Sequence, residues 1–151
     1  MSDFHYTDTN TELGDGYQLP VMKYPVSDDI NITDSTSYIH IDDAGENKFN
    51  IPSSIITAPS DMYVSFHGDA LSDNGTIALC EVDETGKIVQ VYSDTAVDAS
   101  SNTTQIESPR RSVSDLNLQQ PDTSALSIAF KSDDGTECKI RGMSIIIEIG
   151  L

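Results

Sequence analysis

Residues 78–92 read ALCEVDETGKIVQVY, and this stretch decides the fold. Two runs of alternating character flank four residues, Asp83, Glu84, Thr85 and Gly86. In GTIALCEV, Ile77, Leu79 and by position Glu81 face one way, while Ala78, Cys80 and Val82 face the other. KIVQVYS follows directly after the turn. Period-two alternation on both sides of a short glycine-containing turn is the signature of a β-hairpin. Gly86 takes the left-handed position that closes such a loop, because glycine adopts it without steric cost. Asp83 and Glu84 then read as solvent-facing turn formers and not as ligands.

The same pattern extends in both directions. SYIHI and KFNI are short strand candidates around DDAGEN. MYVSFHG sets Tyr63, Ser65 and His67 against Met62, Val64 and Phe66. Further strands are expected in SVSDLNL, SALSIAFKS, TECKIRG and MSIIIEIGL, with a second hairpin at KSDDGTE. PDTSALSIAF begins like a capped helix, but Ile128 and Phe130 suit a strand better. The run SDTAVDASSNTTQIESPRR, residues 93–111, is expected to be a long polar connection. This amounts to roughly eight or nine short strands at intervals of about 8–12 residues, the spacing of a sandwich or barrel. No window carries a capped helical period.

The chain has 151 residues, which suits one domain. It carries 25 acids against 8 bases, a net charge of −17. Like charge repels, so nucleic acid and anionic membrane surfaces are excluded as partners. The first twenty residues hold Asp3, Asp8, Glu12 and Asp15 with no base, which does not fit a signal peptide, and MSIIIEIGL is too short for a membrane span. Synthesis in a cytoplasm is expected. Cys80 and Cys138 both fall in strand segments, where buried free thiols are common; their pairing is left open.

Residues 1–30 stand apart. They show neither helical nor strand periodicity, yet carry Phe4, Tyr6, Tyr17, Leu19, Val21, Met22, Tyr24 and Val26. A disordered tail is poorer in aromatics. The expected organisation is an extended N-terminal arm, 1–30, ahead of an antiparallel β-sandwich, 31–151. The arm either wraps its own domain or binds a neighbouring subunit or partner through Tyr17, Leu19, Val21, Met22, Tyr24 and Val26.

The order YVSFHGDALSDNGTIALCEVDETGKIVQVYS, a polar crossing, then TSALSIAFKSDDGTECKIRGMSIIIEIGL resembles jelly-roll modules of the carbohydrate-binding-module type, over residues 38–151. Similar domains recur in bacteriophage virion proteins as head decoration, head-fibre, tail and baseplate modules. The resemblance implies an all-β, jelly-roll-like sandwich and suggests sugar binding. Tyr38, Tyr63 and Tyr92 are the rings that would stack on a glycan if they face solvent. The absence of Trp weighs against that reading.

Catalysis needs a nucleophile, a base and an orienting group. Histidine is limited to His5, His40 and His67. His67 stands near Asp69 and could serve as a base, but a partly buried strand histidine is the better reading. Glycoside hydrolysis needs two carboxylates a set distance apart, which 25 acids satisfy by chance. Calcium takes oxygen ligands from tight loops. Asp69, Asp73 and Asn74 in GDALSDNG are the best such set, ahead of IDDAGEN and SDDGTE. Asp and Asn are equally the ordinary residues of turns. Arg110 and Arg111 form the paired positive charge, read as an exposed strand start.

These readings converge on a non-enzymatic structural protein of a phage virion, with no cofactor required. It is expected to decorate a head or build a fibre or tail, docking by its arm on the major capsid protein or another virion protein. Homo-oligomers, a trimer among them, fit such a role. The alternative is a module that recognises surface glycans.

Overall fold

Apolar side chains at every second position need a second layer to bury them, and the chain supplies two sheets. The computed structural model describes residues 21–41, 51–52, 62–99 and 105–149, with the backbone alone for 51–52. Eleven strands lie among the described residues: β1 Val21–Ser27, β2 Asn31–Thr33, β3 Ile39–His40, β4 Ile51–Pro52, β5 Met62–Ala70, β6 Gly75–Val82, β7 Ile88–Asp98, β8 Gln105–Glu107, β9 Arg111–Ser112, β10 Ala125–Ser132 and β11 Cys138–Ile149. The first sheet runs β1-β11-β5-β8, with β2 beside β11 and β9 beside β5. The second runs β3-β10-β6-β7, with β4 beside β10. All these pairings are antiparallel.

The strands on the two main paths, numbered in chain order, make the sheets first–eighth–third–sixth and second–seventh–fourth–fifth. That is the double Greek-key order of a jelly roll, as the resemblance implied. Val21, Met62, Val82, Ala125 and Ile149 mark one end of the sandwich, its base. The β5–β6 and β10–β11 connections mark the distal end.

Met62, Val64 and Phe66 of β5 point inward, as the alternation predicts, onto Ile77 and Leu79 of β6 and Leu126, Ile128 and Phe130 of β10. β11 changes parity midway: Cys138 and Ile140 face the core, then Met143, Ile145 and Ile147. A register shift between Arg141 and Ser144 makes the switch, with Gly142 at φ 66°. One extra residue in a strand turns every later side chain over, and glycine permits the backbone angle. Met143 then lies against Gly68, where an added Cβ would meet its Sδ at 2.0 Å.

The hairpin around residues 83–87 forms as read. Gly86 has φ 86° and its N–H donates to the Asp83 carbonyl at 2.9 Å. Asp83 Oδ1 accepts the Thr85 hydroxyl at 2.6 Å and the N–H groups of Thr85 and Lys87 at 2.9 and 3.0 Å. These bonds, the Thr85 hydroxyl foremost, hold the Asp83 carboxyl below its usual range. Its oxygen is occupied by its own turn.

Four segments differ from expectation. TECKIRG and MSIIIEIGL, expected as two strands, run on as the single strand β11. Val21–Ser27, placed in the arm by the sequence, is edge strand β1, so the sandwich begins ten residues before position 31. Met22 and Tyr24 pack on the core and Val26 is 1% exposed. Pro25 obscured the alternation; proline is tolerated there because an edge strand has one unpaired side. Tyr17 and Leu19 lie outside the described residues. SVSDLNL is not a strand: after β9, Val113–Asp115 makes one 3-10 turn that buries Val113 and Leu116, three residues apart. The polar crossing is shorter than expected, since β7 runs on to Asp98 and β8 lies within it.

Glu81 faces the core with no exposed surface. Its carboxylate accepts from Gln90 Nε2 (2.7 Å), the Gln119 and Gln120 N–H groups (2.9 and 2.8 Å) and Ser124 Oγ (2.6 Å). Burial alone would push its pKa up; the hydrogen bonds, Ser124 first, outweigh that and hold it low.

Substitutions at two places test this frame. Gly68→Ala forces Met143 from its site, and overpacking of this kind costs about 1–3 kcal/mol in urea unfolding. Adding Met143→Ala removes the overlap, so the pair costs less than the sum of the two single changes. Glu81→Gln presents an amide to donors and leaves buried groups unmatched, a loss of about 1–3 kcal/mol at neutral pH. A lowered folded-state pKa contributes stability above the unfolded value of about 4.3 and loses it as pH falls through the folded value. The stability difference between wild type and Glu81→Gln therefore shrinks on acidification below pH ~4; a difference that stays constant would contradict this role for Glu81.

Candidate functional site

The outer face of the second sheet departs from the polar surface usual for a sandwich. Ala78, Cys80 and Val82 of β6 and Ser127 and Ala129 of β10 point away from the core, yet all are fully buried. Cys80, Val82 and Ala129 form a second apolar cluster with half-buried Tyr38, Ile88, Val91 and Ala125. Burial pushes the Cys80 thiol well above its usual range, with the Glu81 charge adding to the effect. Small side chains keep this floor low, and larger ones stand at its sides.

Tyr38 and Ile88 of that cluster also line a cavity of about 460 Å³, bounded by residues 38–40 on one side and residues 85–88, from the β6–β7 hairpin, on the other. Small-molecule sites run roughly 300–1,000 Å³. Tyr38 gives the cavity an aromatic wall, with Lys131 Nζ 4.9 Å from the ring centroid. Ile88 adds apolar surface, and Thr85, Lys87 and His40 add polar groups. Burial, and then the Asp133 charge, raises the Tyr38 phenol above its usual value, so it stays a neutral hydroxyl at physiological pH.

His40 Nε2 lies 2.6 Å from Ser127 Oγ. A serine–histidine contact is half of a nucleophile–base pair. Ser127 has no exposed surface and sits mid-strand opposite Cys80, so a substrate carbonyl has no approach to its oxygen in this arrangement. The contact holds β3 against β10. Sequence reasoning weighed His67 and passed over His40. The alternation in SYIHI does turn His40 away from Ile39 and Ile41, but its serine partner lies 87 residues away.

The other candidate residues disperse. His67 Nε2 is 3.2 Å from Glu107 Oε2 across β5 and β8, not engaged with Asp69. Asp69 faces Arg141 at 4.0 Å. Asp73 is exposed in the β5–β6 turn. Asn74 turns its amide nitrogen to Asp134 Oδ1 (3.0 Å), Thr136 Oγ1 (2.9 Å) and the Glu137 carbonyl (3.1 Å), tying the two distal hairpins together. The Asn74 bond first, and then the Thr136 N–H and hydroxyl donating to Asp134 Oδ1 at 3.0 and 2.8 Å, draw the Asp134 carboxyl far below its usual range. Among the described residues no three His, Cys, Asp or Glu side chains gather as a metal group. The acids of IDDAGEN lie outside the described residues.

Of the three tyrosines, Tyr38 alone borders the cavity. Tyr63 lies on the outer face of the first sheet under Arg110, whose guanidinium carbon is 4.6 Å from the ring centroid and which also pairs with Glu148 at 3.0 Å. Tyr92 is no surface ring: it is 6% exposed and belongs to the core. Register shifts along β6–β7 set its inward direction, and Thr95 mends one of them by accepting the Leu79 N–H at 3.0 Å and donating to the Tyr92 carbonyl at 2.7 Å. Arg111 pairs with Asp94 and donates to the Asp115 carbonyl at 2.7 Å, joining the edges of the two sheets. Cys80 and Cys138 are free thiols, one on the outer face and one in the core.

A scan against protein-family models finds no match for this chain, and a search of curated proteins finds none either.

Proposed function

We propose that this chain is a non-enzymatic structural protein of a bacteriophage virion, a head decoration, head-fibre or tail component held by its N-terminal segment. The observation that supports this reading best is polarity along the sandwich. β1 begins and β11 ends at the base of the first sheet, where Val21 pairs with Glu148. The distal end carries the Asn74–Asp134 network and the polar β10–β11 hairpin. A segment leaving from the base can attach to a particle while the hairpins project from it. The attaching residues are those before Val21, Tyr17 and Leu19 among them, since β1 is committed to the sandwich. The partner in this reading is the major capsid protein or another virion protein, with a closed homo-oligomer such as a trimer as the assembled form.

A second reading, recognition of a neutral surface glycan, draws support from the cavity beside Tyr38. Its mixed aromatic and polar lining suits a sugar, which has both C–H faces and hydroxyls. The net charge of −17 disfavours anionic glycans.

Each reading has its experiment. Removing residues 1–20, and not 1–30, is expected to leave the melting temperature within a few degrees of wild type while particle attachment is lost; attachment that survives the truncation would rule out the arm. On a glycan array, binding that is lost in Tyr38→Ala and kept in Tyr63→Ala supports the second reading. No signal on any neutral glycan would count against it.

A further inference from the structure

Asn74 and Gly75 lead from the β5–β6 turn into β6, and among the asparagines of the whole chain Asn74 alone precedes a glycine. That dipeptide carries a chemistry of its own. The backbone nitrogen after an asparagine can attack the side-chain amide carbon, and glycine, with no Cβ, leaves the approach open. After every other asparagine the next residue is Thr, Ile, Lys or Leu, each with a side chain beside that nitrogen.

The fold places both reacting groups. The Asn74 carbonyl accepts the Asp133 N–H at 2.7 Å, and Ser132, opposite Gly75, sends its own N–H the other way, to the Ser35 carbonyl at 2.7 Å. Bonded and non-bonded pairs alternate along an antiparallel ladder, so Gly75 and Ser132 are a non-bonded pair. The Gly75 N–H therefore points away from β10. On the amide, Nδ2 faces four acceptors: Asp134 Oδ1, the Thr136 carbonyl and Oγ1, and the Glu137 carbonyl, at 3.0, 3.2, 2.9 and 3.1 Å. Oδ1 is buried and accepts no hydrogen bond. The side chain is thus latched through its nitrogen, and the amide carbon reaches the Gly75 nitrogen when that latch opens.

An oxygen in place of Nδ2 has no hydrogen to donate. It would face two carbonyls and the ionised Asp134 carboxylate. The Thr136 hydroxyl can turn toward it only by leaving Asp134 Oδ1, to which it donates at 2.8 Å. The β10–β11 hairpin keeps its own turn, through the Thr136 N–H on Asp134 Oδ1 and the Gly135 N–H on Ser132 Oγ, both at 3.0 Å. The β5–β6 turn keeps its hold on β11, where the Leu71 N–H donates to the Lys139 carbonyl at 2.8 Å and the Lys139 N–H to Ser72 Oγ at 2.9 Å. Leu71 stands there in the apolar corner of the distal end with Ile30 and with Ile32, the strand partner of Lys139. The tie between the two turns is what the change removes. The Asp133 N–H on the Asn74 carbonyl and the Thr76 hydroxyl on Asp133 Oδ1 (2.6 Å) are left to carry it.

We propose that Asn74 is a self-modifying site, where attack by the Gly75 nitrogen converts the asparagine to aspartate or isoaspartate and releases the β10–β11 hairpin from the β5–β6 turn. In the first step a bond forms between the Gly75 nitrogen and Asn74 Cγ while the Cγ–Nδ2 bond breaks. The Gly75 amide proton leaves with Nδ2 as ammonia, and a cyclic imide remains. Water then adds to one of the two imide carbonyls and opens the ring, giving aspartate or isoaspartate. Nothing is oxidised or reduced. The change is slow and one-way, and it falls at the end of the sandwich opposite Val21. It holds independently of the virion and glycan readings.

The test ages the full chain at mildly alkaline pH, folded and, in parallel, unfolded in urea, and follows Asn74 by peptide mass mapping. Folded protein is expected to convert Asn74 more slowly than the unfolded chain, because the latch must open first, and to convert it ahead of every other asparagine. Hydrogen exchange then compares aged with fresh protein. The Asp133 N–H is expected to exchange about tenfold faster after conversion, the scale of one lost buried hydrogen bond. The Leu71 N–H, anchored on Lys139, and the Gln119 N–H, anchored on Glu81, are expected to keep their rates. The Asp134 carboxyl, held low first by Asn74, is expected to titrate higher. Asn74→Asp is expected to reproduce the faster Asp133 exchange without ageing. Folded protein that keeps Asn74 intact while the unfolded chain converts it overturns the site. Another asparagine that converts as fast overturns the part given to Gly75. Aged protein, or Asn74→Asp, with an Asp133 N–H as protected as in fresh wild type overturns the release.

Discussion

Much of the base of this sandwich depends on one buried carboxylate. Glu81 occupies a core position on β6, where its neighbours two residues away on either side are Leu79 and the β6–β7 hairpin. A charge in that place is tolerable only if it is fully hydrogen-bonded. The donors come from β7 and from residues 119, 120 and 124 of the segment leading into β10. One side chain therefore joins β6 and the edge strand β7 to the loop that closes the base. The 83–87 hairpin, which bounds the cavity beside Tyr38, follows directly on β6 after Glu81.

The two outer faces of the sandwich differ in a way that bears on function. On the second sheet the outward residues of β6 and β10 are small and buried, and the cavity lies between residues 38–40 and 85–88. On the first sheet the outward residues at the base are engaged with one another, through Arg110, Tyr63 and Glu148. The apolar corner at its distal end is where exposed isoleucine and lysine coincide. Several charges that suggested sites in the sequence are occupied internally. Asp83 stabilises its own turn, Asp134 holds a hairpin, and Arg111 bridges the sheets. An acidic composition of this kind says more about turn chemistry and solubility than about ligands.

Most of the architecture was legible because strand periodicity and turn residues are local properties. The inward set of β5, the Gly86 turn and the strand character of β10 followed from spacing within each segment. Local pattern failed where an irregular residue broke it. Pro25 hid the alternation of Met22, Tyr24 and Val26, and the three-residue spacing of Val113 and Leu116 belonged to a 3-10 turn. Gly142 was the visible sign of the parity switch in β11, though not of its direction. The candidate sites fared less well, because each depends on partners far apart in sequence. Tyr92 could not be told from a surface ring without the bulges that turn it inward.

The amino-acid sequence by itself determined that this protein is an antiparallel β-sandwich with tight acidic hairpins, because alternation and turn chemistry act over a few residues. Tertiary structure alone decided that His40 meets Ser127, that Glu81 is clamped rather than exposed, and that Ile30, Ile32 and Leu71 share one corner with Lys139. Those meetings are set by strand order and register across the sheets. Register is a relation between distant segments, and no single segment contains it.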